Sequence, residues 1–364
     1  MATGRSFAEF VKDKCYNGLY QTAEEYVNEN WESMNLYTRN VHRVGYAEMI
    51  DATIERVYVR DLPGMRVAFE VGMQLEIDVK EGDYHYDESD QCYPWIRVYC
   101  EGNLACGLDD WEIIRVEPYS KKSAPPNSLS DALVPFIPYD QLDKVATEFL
   151  KDHYKDALKV TPYGQPPVMV DPLVLADSLG LTVKQQRIRE DASVFGQIYF
   201  VETEAEMFDA NEDKTVPMTI PEKTIVFDPQ MYLLRNLGSV NNTIVHECVH
   251  WVKHRKVFEL EKLYNAEASH ISCEVVGGAA SAVARSATEQ MEKQANQLTP
   301  RIQMPAEPFK VKAKEYIARF MRELNARHEN EVMEQVITAL ETAFGVSKPV
   351  SYTHLRAHET RSNL

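Results

Sequence analysis

The chain has 364 residues, 44% of them hydrophobic and 26% charged, with a formal net charge of -17. This length allows two domains, each with its own core. The acidic balance excludes general binding of phosphate backbones over the whole surface, so no direct nucleic-acid partner is expected.

The first residues carry no apolar signal core, and charges arrive by Glu9 and Lys12. The most apolar later stretch, residues 275–284, is mostly Gly, Ala and Ser and about half the length a membrane span needs. No membrane partner and a cytoplasmic address are therefore expected. The six cysteines form no CxxC pair, so they are read as reduced packing residues and not as a zinc site.

Helical spacing of Phe7, Phe10, Val11 and Cys15, then of Tyr20, Tyr26 and Val27, predicts helix over the first fifty residues. From Ala52 to Glu117 the period changes to two. Val67, Phe69, Val71, Met73, Leu75, Ile77 and Val79 alternate with mostly polar residues, which predicts a half-buried strand, bent or interrupted at Gly72. Further strands are expected at Trp95–Cys100 and Trp111–Val116, with a turn at Gly102-Asn103. Residues 1–118 thus read as a helical segment followed by a small antiparallel β module. The acidic run from Glu81 to Asp90 reads as a solvated loop.

Residues 119–130, rich in Pro, Ser and Lys, read as a linker. A second domain, residues 131–349, follows. It opens with a helix from about Tyr139 to Leu158. A short helix starts at Asp171-Pro172, with Asp as the cap and Pro in the first turn, and closes at Gly180. Strands are expected at Gly196–Val201 and Thr224–Phe227. The acidic segment between them, residues 202–223, reads as a mobile loop. Within residues 350–364, the run VSYTHLRAHET resembles one reading frame of a sequencing-library adapter. Residues 350–364 are expected to be a non-native tail outside the fold, with His354 and His358 carrying no function.

His246-Glu247-Cys248-Val249-His250 is an HExxH motif. On a helix, residues four apart stack on one face. Two imidazoles so placed reach one zinc ion at about 2.0–2.1 Å. Glu247, rotated about 100° from His246, flanks that ion as the catalytic base. Zinc acidifies water to a pKa of roughly 7. Asn241 or Asn242 can cap the helix. Ile244, Val245, Cys248, Val249 and Val252 make it apolar round much of its circumference, as a buried active-site helix requires. His254 extends the row to i+8, but the rise of about 12 Å keeps it from the same ion, so it reads either as a surface residue or as one that supports a metal ligand from behind. A catalytic zinc wants a third protein ligand. Glu259, Glu261, Glu267, His270, Glu274, Glu289 and Glu292 are candidates, and position does not choose among them.

Three stretches, DPLVLADSLGLTV, NNTIVHECVHW and MEKQANQLTPRIQMP, give residues 131–310 a resemblance to the ImmA/IrrE family of metallo-endopeptidases. In that family a Glu stands two residues before Gln-Ala-Asn, ahead of a segment ending in Met-Pro. Here Glu292, Gln294, Ala295, Asn296, Met304 and Pro305 supply these positions. Thr299, Pro300 and Gln303 stand where the family usually has small or apolar residues. The resemblance implies Glu292 as the third zinc ligand. It also implies an α+β, zincin-like metallopeptidase domain with a small sheet beside the HExxH helix. The expected partner is a protein substrate in the cytoplasm, with a helix-turn-helix repressor of a mobile element as the candidate that the resemblance supplies. The alternative is a regulatory or interaction module that keeps zinc without proteolysis. The β module lies outside the resemblance.

Overall fold

The computed structural model describes residues 6–82, 89–119, 128–230, 232, 237–264, 270–274 and 287–359, with side chains omitted for 270–274 and 356–359. It is an α+β chain that divides into two compact units. One comprises residues 1–136 and 259–266, the other residues 137–258 and 267–364.

In the first unit, helix α1 (Phe7–Asn30) is capped by Ser6, whose hydroxyl accepts from the Glu9 amide. Its buried residues, Phe7, Val11, Cys15, Leu19, Ala23 and Val27, recur every fourth position. The two apolar groups read from the sequence are therefore one continuous stripe, completed by Leu19 and Ala23. The stripe packs on a five-stranded antiparallel sheet built from β1 (Val44–Asp61), β2 (Arg66–Glu81), β3 (Ser89–Cys92), β4 (Trp95–Asn103) and β5 (Glu112–Pro118). Phe7 meets Phe69 edge to face, with ring centroids 5.6 Å apart.

The helix predicted over the first fifty residues is shorter than expected. It ends at Asn30, and β1 begins at Val44. Strand β2 is central, flanked by β1 and β4. Its alternating residues from Val67 to Val79 fill the core, as the period-two pattern predicts. Gly72 does not interrupt it. The irregularity lies across the ladder, where β1 shifts register between Ile54 and Arg56, and Arg56 pairs with Gly72. Of the acidic run, residues 83–88 lie outside the described residues, and Ser89–Cys92 forms β3. Most of the linker, residues 120–127, also lies outside them.

The second unit opens with α2 (Leu142–His153) and α3 (Pro172–Ser178). The Asp171 carboxylate caps α3 by accepting from the amides of Leu173 and Val174, and Gly180 follows at φ 69. Four strands form a mixed sheet in the order β11-β7-β10-β6: β6 (Thr182–Gln185), β7 (Val194–Tyr199), β10 (Thr224–Phe227) and β11 (His270–Glu274). β10 runs parallel to β6 and antiparallel to β7.

The segment expected to be mobile is a β-hairpin instead. β8 (Thr203–Asp209) pairs with β9 (Lys214–Ile220) in full register. Met207, Phe208 and Ile220 are buried, and Met207 and Ile220 join a small cluster with Ile188, Val194, Tyr199 and Val226. Its net acidity hides these apolar anchors, because the charges occupy the outward positions.

The long helices follow. α4 (Leu237–Lys253) and α6 (Ala287–Gln303) pack together with α2, α3 and the sheet around Ile244, Val245, Cys248, Val249, Ala295 and Leu298. α5 (Arg255–Tyr264) contributes its second half to the first unit, where Leu260 joins the core. A third cluster unites α7 (Ala306–Glu323), α8 (Met333–Phe344) and α9 (Lys348–Glu359) through Phe309, Leu340, Phe344 and Leu355. The stretch expected to lie outside the fold is thus helical to Glu359. It buries Ser351, His354 and Leu355, and the His354 ring sits edge-on to Phe309 at 4.7 Å.

Candidate metal centre

α4 carries the HExxH motif two turns from its start. Asn241 and Asn242 lie inside the helix and do not cap it. Asn241 Nδ2 donates to the Gly345 carbonyl at 3.0 Å. The helix is buried on the faces that meet α3, α6 and the sheet. His246, Glu247 and His250 therefore sit in the interior, each at most 1% exposed.

His246 Nε2 and His250 Nε2 face each other at 3.0 Å. α6 brings Glu292 to the same point, Oε2 at 3.2 Å from His246 Nε2 and Oε1 at 3.1 Å from His250 Nε2. Among the described residues, these three side chains form the group able to hold a metal ion. The structure thus brings together all three ligands expected from the sequence. Of the competing acids, Glu289 is exposed, and Glu259 and Glu261 belong to the first unit. Glu267 and the side chains of His270 and Glu274 lie outside the described residues.

The donor set fits a divalent transition ion. Two imidazole nitrogens and one carboxylate are the ligand types of a catalytic zinc site. Ligands about 2.1 Å from one ion in tetrahedral array stand about 3.4 Å apart, close to the spacing seen. Glu292 Oε1 is buried and makes no hydrogen bond of acceptable geometry, although His250 Nε2 is near it. Lone pairs converging without proper hydrogen bonds are what a shared cation resolves. Burial pushes the Glu292 carboxyl up, but the two histidines outweigh burial and hold it well below the ordinary carboxylate range. Burial lowers His250, which favours the neutral ring that a ligand must be.

Glu247 lies beside the donor set. It is fully buried, and among the described residues neither carboxylate oxygen has a hydrogen-bond partner of acceptable geometry. Burial first, and then the charge of Glu292, raise its carboxyl well above the usual range. The Ile198 amide pulls weakly the other way. A buried carboxyl with no well-formed hydrogen bond among the described residues is costly to the fold.

Strand β7 passes close by. A Cβ on Gly196 would lie 2.5 Å from Thr243 Cγ2 and 3.0 Å from Glu247 Oε1. Gly196 therefore lets the sheet approach Glu247, a role that an isolated glycine in an apolar strand signals. Two further residues escape the motif. His254 is fully buried with its Nδ1 3.0 Å from His250 Nδ1, so of its two readings the one behind the ligand holds and the surface one does not. Gln294 reaches it from α6.

Compared with known protein families, curated proteins and solved structures, the chain matches none.

Proposed function

We propose that this protein is a zinc-dependent metallo-endopeptidase of zincin type. The observation that carries the reading is the convergence of His246, His250 and Glu292 at 3.0–3.2 Å beside the buried Glu247, whose carboxyl oxygens have no well-formed hydrogen bond among the described residues. A zinc ion held there would supply Lewis-acid polarisation of a peptide carbonyl and acidification of water. His246, His250 and Glu292 would hold it and leave a fourth position open. Glu247 takes a proton from the attacking water and delivers it to the leaving amine. A purely structural metal site has no use for a base at this position.

The resemblance of residues 131–310 to ImmA/IrrE metallo-endopeptidases supports the same reading and supplies a substrate class. We place the substrate among specific cytoplasmic proteins, with a helix-turn-helix repressor as the candidate. Such proteins carry basic surfaces, which a chain of net charge -17 attracts at low salt.

The test compares zinc-loaded parent protein with Glu247→Gln on the candidate repressor and on unfolded casein. Retained zinc with hydrolysis lowered by roughly 100- to 10,000-fold in the variant is expected. Cleavage at the parent rate by Glu247→Gln overturns the assignment of the base. Rapid cutting of casein at many sites, with the repressor untouched, overturns the substrate class.

A further inference from the structure

The row of histidines on α4 continues one turn past the motif. His254 Nδ1 lies 3.0 Å from His250 Nδ1, and His254 Nε2 lies 3.0 Å from Gln294 Oε1. Both ring nitrogens of this buried residue are engaged, one by the residue read as a ligand and one by α6. Gln294 stands two residues beyond Glu292, so a single stretch of α6 presents the carboxylate to the centre and an amide to His254.

Proton positions along this row are constrained by the end groups. A neutral His250 that offers its Nε2 lone pair to a metal must carry its proton on Nδ1. That proton points at His254 Nδ1, which must then accept. A neutral His254 accepting at Nδ1 carries its own proton on Nε2, where the Gln294 carbonyl oxygen is placed to accept it. One assignment satisfies all three groups. The reverse assignment puts a proton on His250 Nε2, where the metal would sit, and sets a bare His254 Nε2 against the Gln294 oxygen. Both consequences are unfavourable.

We propose that His254, anchored by Gln294, is a positioning residue that fixes the ring orientation and the Nε2-ligating tautomer of His250. This rests on the metal-centre reading above. A metal-bound imidazole needs its second nitrogen held by an outer acceptor, usually a carboxylate, a backbone carbonyl or water. Here the acceptor is a second imidazole. It can play that part only because Gln294 removes its choice of tautomer. Burial sharpens the effect, since His254 is fully enclosed and both nitrogens are shielded from bulk solvent.

Two measurements test this on the full chain. The first is zinc affinity, by competition with a chromophoric chelator, for parent, His254→Leu and His254→Asn, with the melting temperature of each metal-free form recorded alongside. The Asn Oδ1 falls near the position of the His Nδ1 and can accept from His250, whereas Leu cannot. Both variants lose the contact with Gln294 but differ in size and polarity, so the metal-free melting temperatures separate any packing loss from the effect on zinc. His254→Leu is expected to weaken zinc by about 10- to 100-fold, and His254→Asn to recover most of that loss. Equal zinc affinity in the two variants overturns the proposal. The second measurement needs no variant. In zinc-loaded protein labelled with nitrogen-15 at histidine, the protonated nitrogen should be Nδ1 for His250 and Nε2 for His254. A proton on His254 Nδ1 overturns the proposal by itself. A parent chain that takes up no zinc brings down the metal-centre reading, an outcome distinct from a zinc-binding parent with indifferent His254 variants.

Discussion

At the scale of single residues, the site is set by close approach as much as by the HExxH spacing. Gly196→Ala should push the β7 backbone away from Thr243 and Glu247, since the new Cβ would fall within 3.0 Å of both side chains. Overpacking of this kind costs about 1–3 kcal/mol. The expected outcome is a lowered melting temperature and reduced hydrolysis with zinc content unchanged, because no ligand moves. Full activity in this variant would show that the strand does not confine the base. Glu292→Ala should abolish tight zinc binding, while Glu274→Ala should leave it in place. Loss of zinc only in Glu274→Ala would reverse the choice of third ligand. His246, Glu247 and His250 were legible in the sequence because a five-residue motif on one helix fixes their geometry. Glu292 was not legible from spacing alone. It lies 42 residues past His250 on another helix, and only the Glu-x-Gln-Ala-Asn resemblance singled it out. For His254 the sequence shows only that an i+8 residue cannot share the ion, and leaves open whether it faces solvent or backs the ligand; burial against His250 decides for the second.

Among the elements, those whose apolar period is strict were readable. β2, β4, β10 and α3 fall within a few residues of their expected places. β2 is buried on its alternating face, and α3 has an unmistakable Asp-Pro start. The β8–β9 hairpin was missed because its alternation is masked by glutamates and aspartates on the outward face, with few buried anchors to reveal it. β1 was read partly as helix since its buried residues, Ala47, Met49, Ala52 and Ile54, step out of period at the register shifts. The C-terminal helix α9 presents the sharpest contrast. Its sequence reads as an adapter, yet Leu355 is 2% exposed among Phe309, Leu340 and Phe344. If that packing contributes to the fold, Leu355→Ala should destabilise the second unit by about 2–5 kcal/mol, seen as a lower denaturation midpoint. An unchanged midpoint would mean that the stretch lies outside the cooperative core, as its sequence suggests.

For the molecule as a whole, the two units carry different kinds of information. The group able to hold a metal ion and every residue argued to serve it lie in the second unit, on α4, α6 and β7. The first unit is a helix on an antiparallel sheet, completed by residues 259–266 from far along the chain. Among the described residues no helix is long and apolar enough to cross a membrane. The net charge bears on partner capture. If a basic protein is the substrate, raising salt from about 50 to 300 mM should lower kcat/KM by slowing association. A small uncharged peptide carrying the same cleavage site should be cut at a salt-independent rate. The most direct test of the central claim is metal analysis of the purified full chain after exhaustive dialysis. One zinc per chain is expected in the parent and in Glu247→Gln, and none in His246→Ala or Glu292→Ala. A parent free of zinc even when refolded with the metal, or zinc retained in His246→Ala, would contradict the account.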